Sequence, residues 1–570
     1  MNIRKVLGRA KFAVENWRWQ RQQLKQLDPI KAYYDSQWKH VALDAHLVLY
    51  EMRDGQQFGD SPRELLRVWL ENSPQMRHVV VYDPAFKTAV ETSLKVADLQ
   101  NKVTLVDKTT PAYADALLQA HYVVTNAMIF SDIFVKRPGQ IFINTWHGTP
   151  LKKMGYAMPG GVMGSWNVIR NFLQTDYLLA PNALTARIYR EDYRLDGLYT
   201  GEILTLGYPR NDVFFKDAPA LPLARDERPM LLYAPTWTGT VTGEVQPEAL
   251  AQTLATVKAL QAAIPAYQVK IKLHPYIAKY AQHLPEWQQF LIDDALDAND
   301  VMTHTAVLLT DYSSLFFDFL LTGRPIIFFD TTVNYASERG YYMPTDQLPG
   351  PHVTTVEQVA HLLAHDVQSI YRRRYAEFQA QFVQDDDGKA AQRLWEVLQA
   401  PVTPTRTTAL KIVVNAGTFT NQTMTQVQIK QLQKWGQNFD VTLFAQQQLL
   451  KSWYGHQFFG HIDALAPTSR VMINPTHTGN NPHKTERRYL AQQAFDVLID
   501  WQKWNWHTRV SLFAHAKVVV IRQDVRKKSE LLANRGYATI GERDGWAVFA
   551  RPKNAQVATE ILQQLGQMNL

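Results

Sequence analysis

The chain has 570 residues, 46% of them apolar, enough to bury several cores, and its 15 Trp, 25 Tyr and 25 Phe argue against disorder. It contains no cysteine, which excludes disulfides, thiolate metal sites and a cysteine nucleophile. The net charge of +7 suits anionic lipid or phosphate-rich substrates, and no nucleic-acid-binding signature accompanies it.

The charge gathers at the start. Within residues 1–31, Arg4, Lys5, Arg9, Lys11, Arg18, Arg21, Lys25 and Lys31 stand against Glu15 and Asp28, interleaved with Phe12, Trp17, Trp19 and Leu24. A helix of this composition either lies on an anionic membrane face or packs on its own domain. The N-terminus lacks the apolar core of a signal peptide, and no apolar run approaches the ~20 residues that span a bilayer, so a cytoplasmic protein is expected.

Next comes an alternation of strand-like and helix-length runs. Strands are expected at Leu47–Tyr50, His78–Tyr82, Val103–Val106, His121–Thr125 and Gln140–Ile143, with a helix opening at Ser61-Pro62-Arg63-Glu64, capped by the serine. Short apolar strands separated by helix-length segments indicate a parallel sheet with crossover helices. Past a charged, proline-containing stretch at 216–229, a second series follows: Met230–Ala234, Val269–Leu273, Val307–Thr310 and Pro325–Phe329. A third series begins after Pro401-Val402-Thr403-Pro404, with strands at Leu410–Asn415, Val441–Phe444, Val471–Ile473 and Val518–Ile521 and a helix over 486–503. The predicted fold class is α/β: a GT-B-like pair of Rossmann-like domains facing a cleft, plus a small C-terminal α/β domain. The expected division is a basic segment 1–40, an acceptor-side domain 41–215, a donor-side domain 220–400 and an additional domain 405–570 of unknown role. The site belongs in the cleft, at the carboxyl ends of the strands.

Three motifs fall there. Asn144-Thr145-Trp146-His147-Gly148-Thr149-Pro150-Leu151-Lys152-Lys153 delivers a histidine from a strand end into a Gly-Pro loop, placed to handle a proton or simply to turn the chain. Lys270-Ile271-Lys272-Leu273-His274-Pro275 carries a second histidine beside two lysines that alternation puts on one strand face, where solvent exposure is the bland reading. Leu309-Thr310-Asp311-Tyr312-Ser313-Ser314 leads from a strand into an apolar helix, a turn able to hold an anion or merely to cap the helix. His477, His483 and His507 match no metal-ligand spacing and are expected to be scattered surface residues.

Together with Lys136–Gln140, Tyr177–Asn182, Gly207-Tyr208-Pro209-Arg210-Asn211-Asp212, Tyr233–Trp237, Gly323–Phe329 and Glu338-Arg339-Gly340-Tyr341-Tyr342, these segments resemble, in order, the CDP-glycerol glycerophosphotransferase family of teichoic acid synthesis. The resemblance runs from about Leu47 to about Val356. It implies transfer of glycerol phosphate from CDP-glycerol to a lipid-linked glycan or polyol-phosphate acceptor, with CMP released, at the cytoplasmic face of the cell membrane of a Gram-positive bacterium. No nucleic-acid partner is expected, because the positive excess is modest and no nucleic-acid module signature is present. It makes His147 the candidate base, and His274 a group that meets the donor pyrophosphate or protonates the departing phosphate. Lys152, Lys272, Thr236, Asp311, Ser313, Ser314, Asp318 and Arg339 are the candidate substrate-binding residues, with Arg324 a weaker choice. Trp237 either lines the cleft or packs between domains.

No Asp-x-Asp pair stands at a strand end, so chemistry without an obligatory metal or cofactor is expected. CDP-ribitol as donor, a nucleotide-sugar glycosyltransferase of similar architecture and a non-catalytic binder of anionic polymer are the competing readings. Priming versus polymerisation, oligomeric state and the work of residues 405–570 are not legible in the sequence.

Overall fold

The computed structural model describes residues 29–567 apart from 130–133, 160, 197–198, 224–225, 237–246, 274–277, 279, 331–339, 366, 401–409, 418–425, 447–469, 475–487, 489, 491–494, 502–515, 523–525 and 544–545. His274, Arg339, Trp237, His477, His483, His507 and most of the basic N-terminal segment therefore lie outside the described residues.

The first sheet has seven parallel strands: β1 (Asp44–Glu51), β2 (Arg77–Tyr82), β3 (Thr104–Asp107), β4 (Ala120–Thr125), β5 (Ile141–Asn144), β6 (Tyr177–Leu179) and β7 (Glu202–Leu204). Their order is β3-β2-β1-β4-β5-β6-β7, so the winding reverses between β1 and β4. Runs such as Val79-Val80-Val81 are buried throughout, as expected where helices cover both faces.

The second sheet, β8 (Met230–Ala234), β9 (Gln268–Ile271), β10 (Thr305–Thr310), β11 (Ile326–Phe329) and β12 (His352–Val353), has the order β12-β11-β10-β8-β9 and is again parallel. After it the chain returns to the first half. The helix Ala390–Gln399 places Leu394 and Leu398 in the core around β1, and Asp212 accepts hydrogen bonds from its Ala390 and Ala391 amides, both at 2.9 Å. The two halves make a GT-B-like pair.

Polar contacts lock the halves together. Arg63 grips Asp300 with both guanidinium nitrogens, at 2.5 and 2.8 Å, in buried surroundings. Breaking one side of such a pair costs about 3–5 kcal/mol, because the other charge is left buried. The Asp297 carboxylate accepts from the Asp60 amide at 2.7 Å and so tops the helix Asp60–Asn72 from the opposite half. The expected Ser61 cap is thus overturned: the capping position is Gly59, and an acceptor from another element serves the helix end.

The third sheet comprises β13 (Lys411–Gly417), β14 (Asp440–Gln446), β15 (Arg470–Asn474), β16 (Val497–Asp500), β17 (Val518–Arg522), β18 (Ala538–Arg543) and β19 (Trp546–Ala550), ordered β15-β14-β13-β16-β17-β19-β18 with β19 antiparallel to both neighbours. The helix expected over 486–503 is corrected in its second part: Arg488 and Leu490 are helical, but the chain enters β16 at Val497. Val497-Leu498-Ile499 is a central strand buried on both faces, and such a run has no alternation to set it apart from a buried helix. One face of this sheet is covered by helices of the first half. Val413, Phe444, Leu498, Val519, Ile521 and Phe549 share one apolar cluster with Ile169, Phe172, Tyr189 and Tyr193. Arg488 adds a polar tie, pairing with Asp35 at 2.7 Å and lying 4.0 Å from the Trp38 ring centre.

Candidate functional site

His147 stands at the carboxyl end of β5, and its loop is pinned from every side. Asn144 Oδ1 accepts from the Trp146 amide at 2.8 Å, and Trp146 takes a left-handed φ of 53°. Such a conformation costs a non-glycine residue about 1–3 kcal/mol and persists only where surroundings impose it. The Tyr208 hydroxyl, between the Thr145 and Trp146 carbonyls at 2.6 and 2.9 Å, imposes it here. Gly148 follows at φ 100°, and Asn182 donates to Thr149 Oγ1 at 2.6 Å. The imidazole stacks on Trp146 with ring centres 4.0 Å apart, and Trp146 rests edge-on against Phe172.

In the run 142–151, His147 alone is exposed. Enclosure by the surrounding protein pushes its imidazole down to about 4. Arg210 and Arg53 act in the same direction, while Asp60 and a hydrogen bond with the Asn126 backbone oppose. Because the ring keeps an open edge, the direction is what matters: the imidazole is neutral at pH 7 and can accept a proton.

The second half brings its own carboxyl-end residues to this loop. Asp311, after β10, accepts from the Thr236 amide at 2.8 Å and from the Thr236 hydroxyl, so these two candidates form one unit. Asp311 does not cap the helix that follows, whose capping position is Ser314. Burial raises its pKa, and Lys152 from the His147 loop is among the charges that lower it. Lys152 is thereby placed near the donor-side turn, and its backbone bridges that of Tyr341 antiparallel. Tyr312 stacks on Tyr341 at 5.1 Å, and its hydroxyl donates to Asp330.

Ser313 and Ser314 are half-buried, and Ser314 occupies the capping position of Leu315–Phe319 without a side-chain cap bond. That helix is only five residues long, so the serine hydroxyls and first amides, more than a macrodipole, would serve an anion. Asp318 is buried and pairs with Arg210 Nη2 at 2.6 Å rather than facing the turn. Solvent exposure of the two lysines is overturned. Lys270 is buried against the Gln289 carbonyl at 2.7 Å, and Lys272 donates to the Leu296 carbonyl at 3.0 Å. Lys272 lies 3.8 Å from Asp294, whose other oxygen is 4.0 Å from Arg53 of the first half. Arg324 donates to the Thr303 and Thr305 carbonyls, on the far side of β10 from the site.

Sequence reasoning left Arg53, Asp60, Asn126, Tyr208 and Arg210 without roles. The motif containing Tyr208 and Arg210 was visible. Asp60 had no signal beyond Gly59-Asp60-Ser61-Pro62, and its φ of 55° is a structural fact. Among the described residues, no three His, Asp or Glu side chains gather to hold a metal ion, and no helix is long and apolar enough to cross a membrane.

The His147 loop at one sheet's carboxyl edge thus meets the other half through Lys152 and Arg210, an arrangement suited to a two-lobed site. Residues 32–399 match the family described as CDP-glycerol:poly(glycerophosphate) glycerophosphotransferase, and the chain belongs to that family. It is 27% identical over 407 residues to the teichoic acid poly(glycerol phosphate) polymerase of Staphylococcus epidermidis, covering 66% of this chain and 54% of that protein. It is 26% identical to the protein of the same description from Bacillus spizizenii, covering 62% of this chain and 91% of that one. The teichoic acid glycerol-phosphate transferase of Staphylococcus aureus is 27% identical, with 62% and 92% covered. A solved structure of the wall teichoic acid polymerase TagF superposes with a TM-score of 0.56 at 25% identity, covering 70% of this chain and 98% of that one.

Proposed function

We propose that this protein transfers glycerol phosphate from CDP-glycerol to a hydroxyl of a lipid-linked polyol-phosphate acceptor and releases CMP. The observation that carries the reading is the exposed, stacked His147, held at the end of β5 with Lys152 beside the Asp311 turn of the other half. The acceptor oxygen attacks the β-phosphorus, its proton passes to His147, and the bond to the CMP oxygen breaks. A positioned general base contributes ~10²–10⁴-fold. Lys152 and the Ser313–Ser314 turn offer charge and donors to the diphosphate, and positioning with electrostatics supplies most of the catalysis in phosphoryl transfer. His274 and Arg339 complete the proposed donor side.

Relatives with the longest aligned stretch act in glycerol phosphate chemistry, which favours glycerol over ribitol. The proposal includes a peripheral station on the anionic inner leaflet of a Gram-positive cell membrane, supported by the basic residues 1–31. Mass spectrometry of a lipid-linked glycerol-phosphate acceptor incubated with CDP-glycerol tests it. Gain of one or more glycerol phosphate units supports the reading, and an unchanged acceptor contradicts it. Co-sedimentation with anionic but not neutral vesicles, lost on removal of residues 1–28, tests the membrane part.

A further inference from the structure

We propose that Arg210 is a positioning residue for the transfer: it clasps the His147 loop and ties it to the helix that follows the Ser313–Ser314 turn. The inference rests on the reading of His147 as the base.

Arg210 sits in the turn Pro209–Phe215, directly after Tyr208, and its guanidinium lies over the Tyr208 ring at 4.8 Å. The two side chains flank His147 along the backbone. Tyr208 holds the carbonyls of Thr145 and Trp146, and Arg210 lies against Gly148, so closely that a Cβ there would collide with its Nη2. The other contacts of Arg210 fix where that clasp sits. Nη1 pairs with Asp60 at 3.3 Å on its own half, and Nη2 with Asp318 at 2.6 Å on the opposite half. Asp318 lies four residues beyond Ser314. One planar cation thus sets the spacing between the base and the donor-side turn. Asp60 is itself anchored, accepting from Asn126 at 3.0 Å, while the Asn126 carbonyl side chain accepts from the Arg53 amide at 3.1 Å.

A lysine cannot reproduce this. An ammonium is a point charge on a flexible stem and does not hold two carboxylates in one plane. A neutral side chain leaves Asp60 and Asp318, both largely buried, facing each other without a cation, which drives the two halves apart at this point. Misplacement of a reacting group by about 1 Å can cost ~10²-fold in rate.

The charged groups that face His147 are Asp60, Arg53 and Arg210, with Asp318 behind Arg210. This gives a signature that a merely structural residue lacks. Removing the Arg210 cation raises the pKa of the base and moves the acidic limb of the kcat/KM profile to higher pH. Removing the Asp60 charge moves the limb to lower pH.

The test measures CMP release from CDP-glycerol by the full chain with acceptor present, alongside melting temperature, for wild type, Arg210→Met, Arg210→Lys, Asp60→Asn and His147→Ala. The expected result for Arg210→Met is a kcat lower by ~10²-fold with KM for CDP-glycerol within about threefold, and an acidic limb shifted up. Arg210→Lys recovers melting temperature but not kcat, and Asp60→Asn shifts the limb down. An Arg210→Met enzyme within about threefold of wild-type kcat and with an unmoved limb overturns the proposal. If Arg210→Met does not fold, Asp60→Asn decides, and an unmoved or raised limb in that variant overturns it. Activity retained by His147→Ala sinks the base assignment and this inference with it, whereas an inactive His147→Ala beside a normal Arg210→Met sinks this inference alone.

Discussion

Lys152 and Tyr341 pair backbone to backbone in an antiparallel bridge, joining the loop of the candidate base to a segment that follows the last long strand of the other half. The Lys153 amide donates to the Gly340 carbonyl at 3.0 Å and the Tyr342 amide to the Leu151 carbonyl at 2.9 Å. The Tyr342 hydroxyl continues the tie, donating to Asp192 at 2.5 Å and accepting from the Met154 amide at 3.0 Å. Replacing Tyr342 by Phe removes both bonds while keeping the ring. A loss of about 1–3 kcal/mol in denaturant unfolding is expected, because the Asp192 carboxylate loses a partner. An unchanged midpoint contradicts this account of the bridge.

Gly148 carries two constraints at once, a φ of 100° and the Arg210 guanidinium against its Cα. Gly148→Ala is expected to lose stability by about 1–3 kcal/mol and CMP release by at least ~10-fold, with Arg210 displaced. Wild-type kinetics in this variant would falsify the fit described for the loop.

The third sheet shares its apolar cluster with the first half, beneath Trp146. Ending the chain near residue 405 removes the third sheet's share of that cluster and uncovers the helix Gly161–Phe172 where it packs on β15. The truncated protein is expected to aggregate or bind hydrophobic dye, and size-exclusion chromatography checks this. A monodisperse truncation with a wild-type melting temperature shows instead that residues 410–567 fold separately.

Glu51 is buried at the end of β1, hydrogen-bonded by Tyr113 at 2.5 Å. Burial raises its pKa from 4.5 to about 7, and Asp54 adds to the rise. The sign follows from linkage. The folded state holds the proton more tightly than the unfolded one, so stability falls as pH climbs from about 4.5 to about 7 and stays reduced above. Glu51→Gln is therefore expected to stabilise the protein at pH 8, by an order of about 1–3 kcal/mol, and to change little at pH 4. Melting curves at both values check it, and equal effects at the two pH values contradict it.

Much of the architecture was legible because parallel strands buried on both faces are written as unbroken apolar runs, as at Leu47–Tyr50 and Val307–Thr310. The same property hid β16, where Val497-Leu498-Ile499 reads equally as helix. It also hid β6, β7 and β12, which are too short to show a pattern. Within the candidate site, His147 and the Ser313–Ser314 turn stand out in the sequence by residue type at strand ends. Arg210 and Asp60 did not, because their significance lies in contacts across about 150 positions of chain that no local pattern records. Asp318 and Lys272 stand out by position, but their partners do not: Arg210 reaches Asp318 only when the halves meet, and the Leu296 carbonyl reaches Lys272 only through the fold of the second half.

The central claim is that His147 takes the acceptor proton. It is tested most directly by acceptor-dependent CMP release from CDP-glycerol by wild type and His147→Ala, with CDP-ribitol in parallel and with chelator present throughout. The account predicts release with CDP-glycerol in chelator, reduced by ~10²–10⁴-fold in the variant at unchanged melting temperature. Equal release from wild type and variant would contradict it.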